Sequence, residues 1–191
     1  MYDALIIGGD GQIGDTFYRY LQQRSLNVRA TTRKRPVLDG KIPFDLRWPC
    51  ALPEANATFF CTGINGFKPC EADPAQAERI NVTLLLETAR RIYVPGRRLV
   101  YLSSSAAETH PDTIYGKCKR EAEFGFLAIP GAVILRFGPV AFPGRSVYPN
   151  DVYSPINLIT LHEYMHAAMS IPMAGLNRIT NRDWKAEEQA A

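Results

Sequence analysis

Short apolar runs alternate along this chain with longer segments whose apolar residues recur at helical spacing. The first run, "YDALIIG" at 2–8, has the apolar, uninterrupted character of a parallel strand buried on both faces. A glycine-rich turn and a helix from Gln12 to Arg24 follow, and "NVRATT" at 27–32 reads as a second strand. Together these span roughly thirty residues, the length of a right-handed βαβ crossover.

The alternation continues with a strand at 57–62 ("ATFFCT"), a helix from Pro74 to Ile92 and a strand at 97–103 ("RRLVYLS"). A charged helix over 114–128 and a strand at 132–137 ("AVILRF") come next. Strands alternating with helices predict an α/β fold: a Rossmann-type, doubly wound parallel sheet covered on both faces, in a single domain. After Pro139 the chain reads as loop, with "AFPGRSVYPNDVYSP" carrying three prolines, before a helix at 159–170 and a strand near 176–180. The domain is expected over 1–180, with a reduced substrate region mainly at 141–180 and a polar tail at 181–191.

Between the first strand and helix stands "GGDGQIG", which places Gly8, Gly11 and Gly14 three apart. Glycines there permit a tight turn, close approach of a pyrophosphate to backbone and close helix–strand packing, while the helix N-terminus offers N–H donors. NAD-binding sheets of this kind usually end the second strand on an acid, but here the sequence is "ATTRKRP". Thr32, Arg33 and Lys34 are suited to the 2′-phosphate of NADP, which predicts NADP(H) in preference to NAD(H). A solvated basic turn is the alternative reading.

Composition narrows the function. The chain has 191 residues, 46% hydrophobic and 21% charged, enough for one domain with a real core. Its 22 basic and 19 acidic residues are spread along it, so no basic stripe marks a nucleic-acid partner. No apolar run reaches the ~18 residues of a membrane helix, and "ALIIGG" lacks the flanks of a signal peptide. Four cysteines without a CxxC pair fit reduced thiols, so a soluble, cytoplasmic protein is expected.

These segments resemble the extended branch of the short-chain dehydrogenase/reductase superfamily, the NAD(P)-dependent sugar-nucleotide epimerases, dehydratases and reductases. The resemblance is carried in order by Gly8–Gly11–Gly14, "FDL" with Asp45, "INVTLLLETA", "LVYLSSSA", "YGKCKREAE" and "AVILRFGPV". It implies that Tyr115 is the catalytic acid/base and that Lys119 lowers the phenol's pKa and binds the nicotinamide ribose. Ser105 best matches the residue that bonds the reacting oxygen, with Ser104 as the fallback, and Asn81 matches the family's helix asparagine. Gln12 and Ile13, Asp45 and Leu46, and Cys61, Thr62 and Gly63 would line the cofactor path. The resemblance further implies a small-molecule substrate, a nucleotide sugar among the candidates, and homodimer pairing through the helices at 74–92 and 114–128. Only nine residues separate Ser105 from Tyr115, so the intervening loop is short.

"HEYMH" at 162–166 matches a zinc motif that would use His162 and His166 as ligands and Glu163 as base. Within a dinucleotide fold the expectation is no metal, with both histidines incidental. The overall expectation is an NADP(H)-dependent oxidoreductase or epimerase acting on a carbonyl or secondary alcohol; the alternative is a non-catalytic NADP(H)-binding sensor.

Overall fold

The computed structural model describes residues 1–35, 37, 40–48, 50–142 and 156–179. Most of the proline-rich loop and the C-terminal tail fall outside them. The expected strands are present as β1 (Tyr2–Ile7), β2 (Val28–Thr32), β4 (Ala55–Phe60), β5 (Arg98–Ser104), β6 (Val133–Phe137) and β9 (Gly175–Ile179). Two-residue strands β3 (Ile42–Pro43), β7 (Val140–Ala141) and β8 (Ile156–Asn157) add to them. The helices are α1 (Gln12–Gln23), α2 (Phe67–Ala72), α3 (Pro74–Glu78), α4 (Leu84–Ile92), α5 (Ala106–Thr109), α6 (Ile114–Leu127) and α7 (Leu158–Ala167).

Seven strands pair in the order β3-β2-β1-β4-β5-β6-β9, all parallel. The order reverses between β1 and β4, and the crevice at the carboxyl ends of those strands is where such sheets bind ligands. Along β1 alternate residues serve two cores. Ala4 and Ile6 pack with Phe17 and Leu21 of α1 and with Leu161 and Met165 of α7. Leu5 and Ile7 pack with Leu85 and Ala89 of α4 and with Phe126 of α6.

Two departures from expectation bear on the site. The single helix expected from Pro74 to Ile92 is interrupted by a π-helical turn at Arg79–Thr83, between α3 and α4. The short connection between Ser105 and Tyr115 contains one helical turn, α5. It packs so tightly on the start of α6 that a Cβ at Gly116 would lie 2.7 Å from the Ala106 carbonyl oxygen.

Candidate active site

Two clefts meet at the switch point. One of about 290 Å³ is lined by Gly8, Asp10, Thr32, Arg33, Asp45 and Leu46, and also by Arg47 and Gln76. The other, of about 510 Å³, is lined by Gln12, Ile13, Asn65, Ser104, Ser105, Tyr115 and Lys119, with Phe67, His110 and Phe142 at its sides. Gly11, Cys61, Thr62, Gly63 and Ile64 line both. A dinucleotide has this shape, two nucleoside halves joined over a glycine loop at a helix N-terminus.

The glycine loop is closed around its backbone. Gly8 has φ +97° and a Cβ there would lie 2.6 Å from the Cys61 carbonyl oxygen, so only glycine lets β1 and β4 end this close. Its N–H donates to Thr31 Oγ1 at 2.9 Å. Gly14 packs under Gly8 and does not line either cleft. Lys41, which no motif singles out, donates from Nζ to the Gly9 carbonyl at 2.7 Å and to Asp15 Oδ1 at 2.8 Å, tying the loop to the first turn of α1.

At the end of β2 the charges are mixed. Arg33 lines the cleft, whereas exposed Lys34 stands just outside its lining, its N–H donating to Thr32 Oγ1 at 3.0 Å. Asp10 of the glycine loop, absent from the sequence-based candidates, accepts from the Thr32 hydroxyl at 2.7 Å and the Arg33 N–H at 2.8 Å. Burial alone would raise its carboxyl, but those two bonds together with the Lys34 and Lys41 charges outweigh burial and hold it below the usual range. Asp45 accepts from Arg47 Nε at 3.0 Å and Nη2 at 2.7 Å, beside buried Leu46.

Tyr115, Lys119 and Glu123 form one stripe of α6, four residues apart. The Tyr115 hydroxyl donates to Asn65 Oδ1 at 2.8 Å, and the Ser104 hydroxyl, which accepts from the Ala106 N–H at 3.2 Å, lines the same cleft. Ser105 lines that cleft as well, and its backbone carbonyl starts α5 by accepting from the Glu108 and Thr109 N–H groups. Lys119 Nζ donates to the Leu102 carbonyl at 3.0 Å and stands 5.8 Å from the Tyr115 ring centroid. Burial pushes the ammonium down to about 8. Burial also pushes the phenol up to about 12, with the nearby Ser104 hydroxyl opposing it. Cys61 is likewise pushed up to about 12 by burial, which makes its thiol inert.

Asn81 is not on the wall. It is buried, with Nδ2 donating to the Ile64 carbonyl at 2.9 Å and Oδ1 accepting the Ile64 N–H at 2.7 Å. Gly63, at φ +141°, makes room for it, since a Cβ there would lie 2.6 Å from Asn81 Oδ1.

The "HEYMH" histidines stand elsewhere, on α7 against α1. His162 Nε2 pairs with Thr16 Oγ1 at 3.1 Å, and its ring packs on Phe17 and Tyr20. Among the described residues no group of three His, Cys, Asp or Glu could hold a metal ion. Burial, helped by Arg24, pushes His162 down to about 4. The unfolded chain binds a proton at this imidazole below about pH 6.5 and the folded chain only near 4, so stability must fall with pH across that window. A loss of about 1–3 kcal/mol is expected between pH 7 and 4.5, and His162→Gln should flatten that slope in urea titrations. An unchanged slope in the variant would refute the assignment.

No protein-family model matches the chain, and no curated protein matches it. Solved structures do. MoeE5, in complex with UDP-glucose and NAD, superposes with a TM-score of 0.74 at 22% identity over 93% of this chain and 76% of its own. RMD from Pseudomonas aeruginosa, complexed with NADPH, gives 0.74 at 17% identity over 93% and 78%. TunA, an NAD-dependent NDP-hexosamine 5,6-dehydratase, gives 0.72 at 18% identity over 100% and 82%. At these identities the likeness is one of fold, and it is the fold that the sequence resemblance implied. No helix among the described residues is long and apolar enough to cross a membrane.

Proposed function

We propose that this chain is an NADP(H)-dependent oxidoreductase or epimerase acting on a carbonyl or secondary alcohol, with a nucleotide sugar the leading substrate class. The observation that carries the reading is the convergence of the Tyr115 phenol, the Ser104 hydroxyl and Lys119 on a cleft continuous with a backbone cradle only glycine can form. The structural neighbours support it: MoeE5 is complexed with UDP-glucose and NAD, RMD is complexed with NADPH, and TunA is described as an NAD-dependent NDP-hexosamine dehydratase.

The residues fit a dinucleotide. The Gly8–Gly14 loop and the first turn of α1 would hold the pyrophosphate, Asp45 and Leu46 the adenine end, and Arg33 with Lys34 a 2′-phosphate. Lys119 would hold the nicotinamide ribose. Bound there, the reduced nicotinamide supplies a hydride. The chain's own part is the proton: Tyr115 would deliver it to, or remove it from, the substrate oxygen, with Ser104 on the wall of the same cleft. Phe67 packs edge-on against the Tyr115 ring, with 5.6 Å between centroids. Exposed Phe124 and Leu127 on α6 support homodimer pairing through α4 and α6.

The cofactor assignment is testable without a substrate. NADPH should bind more tightly than NADH in a fluorescence titration, and Arg33→Ala should narrow the gap about ten- to a hundredfold, the value of one charge-assisted contact. Asp10→Asn should widen it, because the Asp10 carboxylate stands where a 2′-phosphate would approach. Equal affinity for both cofactors would defeat the assignment. Tight NADPH binding with no turnover on any of a broad substrate panel would favour a sensor.

A further inference from the structure

Tyr115 meets a residue that no sequence motif marks. Asn65 lies in the loop after β4, and that loop is held from below. The π-helical turn at Arg79–Thr83 carries Asn81, whose amide engages both backbone groups of Ile64, the residue before Asn65. The result is a carboxamide oxygen 2.8 Å from the Tyr115 hydroxyl, under an edge-on Phe67 ring 5.6 Å from the tyrosine ring.

We infer that Asn65 is a positioning residue whose carboxamide serves both forms of the Tyr115 phenol, accepting the O–H of the neutral ring and, turned over, donating to the phenolate. An amide has an acceptor and a donor on one pivot, a combination that a carboxylate and an aliphatic side chain both lack. The inference rests on the acid/base reading of Tyr115. In the reductive direction the phenol proton passes to the substrate oxygen as the carbonyl carbon gains a hydride from the reduced nicotinamide dinucleotide. The substrate is reduced, the dinucleotide is oxidised, and the phenolate is capped by Asn65 Nδ2 until a proton taken up from solvent restores the phenol. In the oxidative direction the same cap makes the phenolate accessible as a base in a cleft that otherwise opposes ionisation.

The test reads the phenol itself. Chain labelled with 3-fluorotyrosine, whose phenol ionises at lower pH than tyrosine, is titrated by fluorine resonance, with the Tyr115 signal assigned by its loss in Tyr115→Phe. Asn65→Leu removes a charge-assisted bond to the phenolate and a weaker neutral bond to the phenol, so the midpoint should rise by about one pH unit. Asn65→Asp adds a like charge and keeps only the acceptor, so it should rise further. A midpoint that falls or stays put in Asn65→Leu overturns the inference, and Asn65→Ala serves if that variant does not fold. The titration needs neither substrate nor cofactor, so its outcome is distinct from failure of the acid/base reading, which turnover by Tyr115→Phe decides.

Discussion

Tyr115→Phe is expected to lower turnover by about 10²–10⁴, the usual contribution of a positioned acid or base, while changing NADPH affinity little. The substitution keeps the ring and its edge-on contact with Phe67, and removes only the oxygen that Asn65 addresses. Lys119→Met should act differently. Its ammonium faces the position proposed for the ribose, so both cofactor affinity and turnover should drop. Because burial has already driven Lys119 down to about 8, removing it should not weaken the fold at neutral pH. The assay is NADPH oxidation over a panel of nucleotide sugars and small ketones and aldehydes. A substrate on which Tyr115→Phe retains full rate would show the role to be misassigned.

Glu123→Gln should lower the unfolding free energy by about 3–5 kcal/mol, the cost of stranding a buried charge. Glu123 is buried and accepts from Arg136 Nε at 2.8 Å, from Arg136 Nη2 and from the Ser103 hydroxyl at 2.6 Å. Arg136 Nη1 also donates to Glu108 Oε2 at 2.7 Å, so one guanidinium fastens α5 and α6 to β6. With Glu123 neutral, the buried guanidinium retains only the partly exposed Glu108. The double variant Glu123→Leu/Arg136→Leu removes both charges and should lose far less, since an apolar pair of similar volume is often neutral. Urea unfolding distinguishes the two. Equal losses in the single and double variants would mean that packing, and not charge pairing, is what Glu123 supplies.

That stripe also explains what the sequence could and could not say. The buried face of α6 mixes Tyr115 and Glu123 with Cys118, Ala122 and Phe126, so its apolar positions are few and its text reads as a solvated, charged helix. Periodicity reports burial only when the buried residues are apolar. Strands β1, β4 and β6 were legible for the opposite reason: buried on both faces, they are largely apolar. The same property concealed which serine matters. In β5, the Ser103 hydroxyl turns toward α6 and Glu123 while that of Ser104 accepts from the Ala106 N–H, and a strand without polar–apolar alternation does not reveal that parity. Asn65 and Asp10 were illegible because tertiary contacts alone give them a role, each meeting partners remote in sequence, as Asn65 meets Tyr115 and Asp10 meets Thr32. The glycine loop was legible because its constraint is local.

The π-helical turn at Arg79–Thr83 sets a reading frame for the helix that contains it. Ala77, Asn81, Leu85 and Ala89 are all buried, four residues apart. In an uninterrupted α-helix a spacing of four drifts about 40° per step, so the stripe would wander about 120° off its face across that span. A wider turn absorbs the drift, which lets the front of the helix address the loop below Asn65 while the back addresses the sheet. Losing one residue there would restore regular hydrogen bonding and put every later side chain out of phase with its partner. Chain length in this stretch is therefore as much a part of the site as any side chain in it.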